Sequence, residues 1–118
     1  MQTEEFRALL TARRAEFVAA GGAHEATERE LATARGDATT DDEHDPEGVT
    51  ISEEWSQLAG LREAERRELD EIDAAFARLD AGTYGTCVDC GRRIPVGRLR
   101  VRPEAARCVE DAARAERN

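Results

Sequence analysis

The chain contains no lysine, only three cysteines and few aromatic residues: three Phe, one Trp and one Tyr among 118 residues. All 17 basic residues are arginine, a bias of composition more than of chemistry. So few rings cannot furnish the thick interior of a β-sandwich or barrel. A charged fraction of 36% calls for a shape rich in surface, which an elongated helical protein supplies. No stretch approaches the roughly 18 uncharged apolar residues of a membrane helix. The opening MQTEEFRALL carries acids where a secretion signal has bases before an apolar run. The expectation is a cytoplasmic chain with no membrane partner. Three cysteines cannot all pair with one another, so they read as a metal site or reduced thiols rather than a disulfide framework. Neither a nucleophile beside a base nor a placed pair of carboxylates is visible, and enzymatic activity is the least supported class.

What is present is charge, distributed unevenly. The formal net charge is minus 9. Residues 1–36 sum to minus 1, 37–54 to minus 8 with no arginine, 55–81 to minus 3, and 82–118 to plus 3 with eight arginines. Acid gathers in the middle of the chain and base at its end.

Phe6, Leu9, Leu10, Arg13, Phe17 and Leu31 fall at helical spacings, which predicts a long amphipathic helix. Gly21 and Gly22 lie inside it, each costing about 1 kcal/mol relative to Ala, so a bend or break is expected there. Residues 36–50, GDATTDDEHDPEGVT, hold two Gly, a Pro and six acids and read as a loop. Thr50 followed by Glu53 matches a capping box and predicts the start of a second helix. From there Ile51, Trp55, Leu58, Leu61, Glu65, Leu69, Ile72, Phe76 and Leu79 step by three or four, and only Glu65 interrupts the apolar stripe. Gly82 follows as the expected left-handed helix end. Two narrow stripes joined by one polar loop predict an antiparallel coiled-coil hairpin over 1–81, with an acidic tip at 37–50.

Cys87 and Cys90 form a C-x2-C pair, and 17 residues separate Cys90 from Cys108. That interval suits the two knuckles of a zinc site, with Gly91 letting the backbone turn beneath the sulfurs. A fourth Cys would fall at position 111, where Asp111 stands. Three readings follow: zinc on Cys87, Cys90, Cys108 and Asp111; zinc on the three thiolates with water or Glu110; or no metal, the knuckle being held by packing of Val88, Ile94, Val96, Leu99 and Val101. A fully ligated ion would be structural. His24 and His44 are poorly placed to ligate. Pro103 and Glu104 predict the start of a short terminal helix delivering Cys108 and Asp111 from one face.

From Tyr84 to Cys108 the chain reads YGTCVDCGRRIPVGRLRVRPEAARC. This segment resembles the zinc finger of the DksA/TraR family of bacterial transcription regulators. The shared pattern is carried by Tyr84, Gly85, Cys87, Cys90, Gly91, Ile94, Arg98, Leu99, Pro103 and Cys108. More loosely, the likeness extends from about residue 41 to 111. It implies a coiled-coil hairpin on a small zinc-finger base, formed by 82–118, with a short C-terminal helix. It also implies RNA polymerase as partner, entered through its secondary channel by an acidic tip, with the alarmone ppGpp as a frequent co-effector. Asp45 and Pro46 match the family's tip, whereas Gly48 stands where a second acid is usual.

The candidate sites are therefore a structural Zn2+ on Cys87, Cys90, Cys108 and Asp111, a tip formed by Asp41, Asp42, Glu43 and Asp45, and a basic base with Arg92, Arg93 and Arg98. Arg100, Arg102 and Arg107 extend the basic set, and its plain alternative is internal pairing with Glu104, Glu110 and Asp89. Direct binding to DNA is disfavoured by the net charge. The competing functions are a zinc-finger interaction module that does not bind polymerase, and a sequence-specific DNA-binding finger.

Overall fold

The structure, a computed structural model, describes residues 3–37 and 46–117. Four helices account for most of it: α1 Thr3–Asp37, α2 Pro46–Ala81, α3 Val96–Val101 and α4 Val109–Arg117. The chain is mainly helical, and an antiparallel bridge between Thr86 and Arg93 is the one piece of β pairing among the described residues. It divides into two compact units. One combines the residues up to Ala15 with those from Glu68 onward, and the other runs Glu16–Arg67.

In the first unit α1 and α2 run antiparallel. Arg7 pairs with Asp80 at 3.0 Å and Arg14 with Asp73 at 3.0 Å, so the partner's number falls as the first rises. Their apolar faces meet through Phe6, Leu10, Ile72, Ala75 and Leu79, all buried. The finger adds Tyr84, Cys87, Ile94, Leu99 and Ala105 to the same core. The ring of Tyr84 tilts against Phe6 with centroids 5.3 Å apart, and its hydroxyl donates to the Pro103 carbonyl at 2.8 Å. That partner lets a polar tip enter an apolar core without an unsatisfied donor.

The second unit has a thinner core, with Leu31 and Leu58 buried. Polar pairs supplement it: Arg62 donates to Glu28 at 2.5 Å and to Glu25 at 3.3 Å, and His24 meets Glu65. The pairing is again antiparallel. Glu65, the interruption in the apolar stripe, thus faces a partner rather than solvent, its side chain only 12% exposed.

Several boundaries differ from the sequence reading. α1 is continuous through Gly21 and Gly22. Gly21 instead makes room, since a Cβ there would lie 3.3 Å from Glu65 Oε2. α2 begins at Pro46, four residues before Thr50, because proline's fixed φ and missing N–H suit a first helical turn. Pro46–Thr50, read as part of the tip loop, are therefore helical. Leu61, expected in the stripe, is 53% exposed. The inward series passes through Leu58, Arg62, Glu65, Leu69 and Ile72, so Arg62 takes the place assigned to Leu61. The terminal helix begins at Val109 rather than Pro103, and α3 had no counterpart in the sequence reading.

Candidate metal centre and its surroundings

The finger is assembled by turns that its glycines permit. α2 ends where the Gly82 amide donates to Leu79 and the Thr83 amide to Arg78, at 3.3 and 2.9 Å, with Gly82 at φ 77°. This is the left-handed closure expected of Gly82. Gly85 and Gly91 also take positive φ, 87° and 75°. Between them the Cys87 amide donates to Arg92 at 2.8 Å and the Gly91 amide to Cys87 at 3.0 Å, folding C-x2-C into a tight knuckle. The Val88 amide donates to Ala106 at 2.9 Å and ties that knuckle to the segment preceding Cys108. The Cys108 carbonyl in turn accepts from Ala112 at 2.9 Å, so Cys108 caps α4 and Asp111 sits in its first turn.

These constraints bring one ligand atom each from Cys87, Cys90, Cys108 and Asp111 within 4.8 Å of one another. The Cys87 and Cys108 thiols donate to Asp111 Oδ2 at 3.2 and 3.3 Å, and the Cys90 and Cys108 sulfurs are 4.0 Å apart. A tetrahedron built on zinc–sulfur bonds of about 2.3 Å has edges of about 3.8 Å, with those to oxygen somewhat shorter. The four donors fit such an ion. Cys87 and Asp111 are buried, while Cys90 is exposed. Glu110, the alternative fourth ligand, is exposed.

The electrostatics agree with a ligand cluster. Hydrogen bonds from the Cys90, Cys87 and Cys108 thiols hold Asp111 down at about 2, so it is a carboxylate at any ordinary pH. Burial pushes the Cys87 thiol up, but backbone amides of Cys90, Cys108 and Asp89 outweigh it and the net direction is down. Cys90 is drawn down by the Arg92 amide, yet the Asp111 carboxylate, burial and the neighbouring thiols together raise it to about 11. A divalent cation would turn this mutual repulsion into attraction. Four protein donors around one ion would leave no position for a substrate. Of the five apolar residues that could hold a metal-free knuckle, only Ile94 and Leu99 are buried, whereas Val88, Val96 and Val101 are 53%, 44% and 81% exposed.

The basic set is largely engaged. Arg107 pairs with Asp89 at 2.6 Å, Arg100 with Glu5 at 2.9 Å, and Arg102 with Glu68 and Glu71 at 3.2 and 3.4 Å. Arg98, one of the three expected to face a partner, donates to the Arg107 carbonyl at 2.9 Å. Arg92 and Arg93 are exposed. Glu104, expected on a helix start, is instead 1% exposed and accepts from Arg13 at 2.7 Å. Arg13 within an apolar stripe was the available signal. The acidic residues Asp41, Asp42, Glu43 and Asp45 lie outside the described residues, as does His44. His24 is engaged with Glu65 in the other unit.

A helix pair carrying a cysteine knuckle closed by the cap of a terminal helix defines a helical zinc-finger protein by fold and site. Residues 82–117 match the model of the prokaryotic dksA/traR C4-type zinc finger. A solved transcription factor DksA2 from Pseudomonas aeruginosa is 32% identical, with a TM-score of 0.79 over 98% of this chain and 84% of that one. The chain belongs to the DksA/TraR family. Among curated relatives, an RNA polymerase-binding transcription factor DksA from Haemophilus influenzae is 35% identical over 58% of this chain and 47% of its own length. Its namesake from Caulobacter vibrioides is 39% identical over 48% of this chain and 39% of its own. The match thus spans less than half the length of either curated relative. No helix among the described residues is long and apolar enough to cross a membrane.

Proposed function

We propose that the chain is a non-enzymatic transcription regulator that binds RNA polymerase through the secondary channel. One observation carries this reading: the fold likeness to a DksA2 transcription factor extends over 98% of the chain rather than over the finger alone. The acidic residues Asp41, Asp42, Glu43 and Asp45 form the working end. Carboxylates are suited to approach a magnesium-containing centre, where oxygen ligands are preferred. The chain forms and breaks no bonds; it acts by position and negative potential.

Cys87, Cys90, Cys108 and Asp111 hold a structural Zn2+, which supplies a cross-link between the knuckle and the start of α4. Arg92 and Arg93 are exposed and suit an acidic protein surface or the phosphates of ppGpp as co-effector. Extended nucleic acid is a poorer partner. The net charge of minus 9 opposes it, and Arg98, Arg100, Arg102 and Arg107 already have acceptors.

The test is capture of purified core polymerase by the tagged chain at low and moderate salt. Retention of polymerase, with altered lifetimes of open promoter complexes, is expected. Failure to retain any polymerase subunit at either salt would defeat the regulator reading and leave the interaction module.

A further inference from the structure

Thr86 and Arg93 face each other across the finger's antiparallel bridge. Its hydrogen bonds, from the Cys87 amide to the Arg92 carbonyl and from the Ile94 amide to the Gly85 carbonyl, both 2.8 Å, lie to either side of that pair. In an antiparallel ladder this makes Thr86 and Arg93 a pair not bonded to each other, so their own N–H and C=O groups point outward. On the Thr86 side the edge is closed, because the Thr86 amide donates to Thr83 at 3.4 Å. On the Arg93 side neither main-chain group has a main-chain partner among the described residues. Arg93 is exposed and Ile94 buried, so successive side chains alternate between solvent and core as in a strand. An unpaired edge of this kind is a template for another strand.

Beside the edge a groove of about 400 Å³ is lined by Phe6, Ile94, Val96 and Leu99, with Arg93 and Arg100 supplying its charge. Val96 leaves 44% of its surface open there, whereas the other three apolar residues are buried. Arg100 is paired with Glu5, while Arg92 and Arg93 have no ion-pair partner among the described residues. We propose that this edge and groove receive a short extended segment of a protein partner in which acidic and apolar residues alternate. One acidic residue of the segment pairs with Arg93 through both main-chain groups, and its carboxylate, on the same face as the Arg93 side chain, meets the guanidinium. Its apolar neighbour falls on the Ile94 face and enters the groove beside Val96. Pro95 has no N–H, so the added ladder stays short and the charged and apolar contacts decide which segment binds. Nucleic acid has neither a peptide main chain for the edge nor an aliphatic side chain for the groove. The proposal deepens the reading of Arg92 and Arg93 as a contact for an acidic protein surface. Its test needs no polymerase, so the two stand or fall separately.

The experiment is an NMR titration of the nitrogen-labelled full chain with the peptide acetyl-Asp-Val-Glu-Leu-Asp-Val-Glu-amide, beside acetyl-Lys-Val-Arg-Leu-Lys-Val-Arg-amide. With the acidic peptide, saturable shifts are expected at Gly85, Arg93, Ile94, Val96 and Leu99. The Arg93 amide should move downfield and, near saturation, exchange with solvent about tenfold more slowly, the mark of a new hydrogen bond. Arg93→Glu and Val96→Asp should each weaken binding by about fivefold or more. Arg117→Glu, in α4, should not. Arg93 is exposed, so that variant keeps the fold even if Val96→Asp does not. No saturable shift at millimolar acidic peptide, equal binding of the basic peptide, or binding in which the Arg93 amide takes no part overturns the site. The same shifts appearing as the peptide-free chain is concentrated would assign the edge to a second copy and overturn it as well.

Discussion

At the level of single residues, Asp111 carries the most specific consequence. It places a hard oxygen where a second C-x2-C would place sulfur, and three thiols already converge on it at hydrogen-bonding distance. Asp111→Ala removes the fourth donor, and zinc retention against a competing chelator should fall by about tenfold or more, with about 2 kcal/mol of stability lost. Asp111→Cys restores four sulfurs and should retain zinc at least as well as the native chain. Metal content of the three purified proteins decides it, and equal zinc in the native and Ala forms removes Asp111 from the ligand set. Glu68 makes a second prediction. Burial, then its hydrogen bond with Glu104, raises it from 4.5 to about 7. A folded value above the unfolded one favours the protonated form in the native state. Its contribution is therefore complete below about pH 4.5 and is lost as pH rises through about 7. Discounted for its partial exposure and for Arg102, the change is roughly 1–2 kcal/mol. Thermal unfolding should show Glu68→Gln gaining on the native chain between pH 5 and 8. Taking the difference removes the pH dependence of zinc binding common to both, and parallel curves would refute the assignment.

At the level of elements, the glycines of the helices separate intrinsic propensity from packing. Gly22 has open space around a built Cβ, whereas at Gly21 the Cβ would meet Glu65 Oε2 at 3.3 Å. Gly22→Ala should stabilise the chain by about 0.5–1 kcal/mol. Gly21→Ala should give less or nothing, since Glu65 must shift away from His24. Gly82→Ala, at positive φ, should destabilise by about 1 kcal/mol. Urea titrations of the three variants test the order, and equal gains at Gly21 and Gly22 would show that Glu65 imposes no constraint. The same contrast explains what was readable from the chain. Gly82, Gly91 and the C-x2-C spacing act over a few residues, so turn chemistry alone placed the helix end and the knuckle. The start of α2 was misplaced because Thr50–Glu53 and Pro46 are competing start signals, and local pattern does not rank them. Leu61 and Arg62 were exchanged because hydrophobicity cannot announce that an arginine turns inward to meet Glu25 and Glu28 across the helix pair. Glu104 with Arg13, and Glu68 with Arg102, join residues 91 and 34 positions apart, and only the tertiary fold creates those pairs.

At the level of the whole molecule, charge divides the chain between the segment proposed to act and the segment proposed to bind. Residues 37–54 carry minus 8 and residues 82–118 plus 3, with Arg92 and Arg93 exposed. A regulator with this distribution can keep its partner when one acid is removed, because a single exposed charge is worth about 1 kcal/mol or less, a change of up to about fivefold in affinity. Its effect on the partner need not survive. Asp45 is the one acid matching the family's tip, since Gly48 holds the position of the second. Asp45→Ala should therefore bind polymerase within about fivefold of the native chain yet lose most of its effect on transcription in vitro. Glu116→Ala, in the terminal helix α4, should change neither. Measured together, binding and transcription distinguish the cases. Loss of both in Asp45→Ala makes the acidic segment an anchor rather than an effector. A full transcriptional effect in that variant, with binding intact, places the regulatory action elsewhere in the chain.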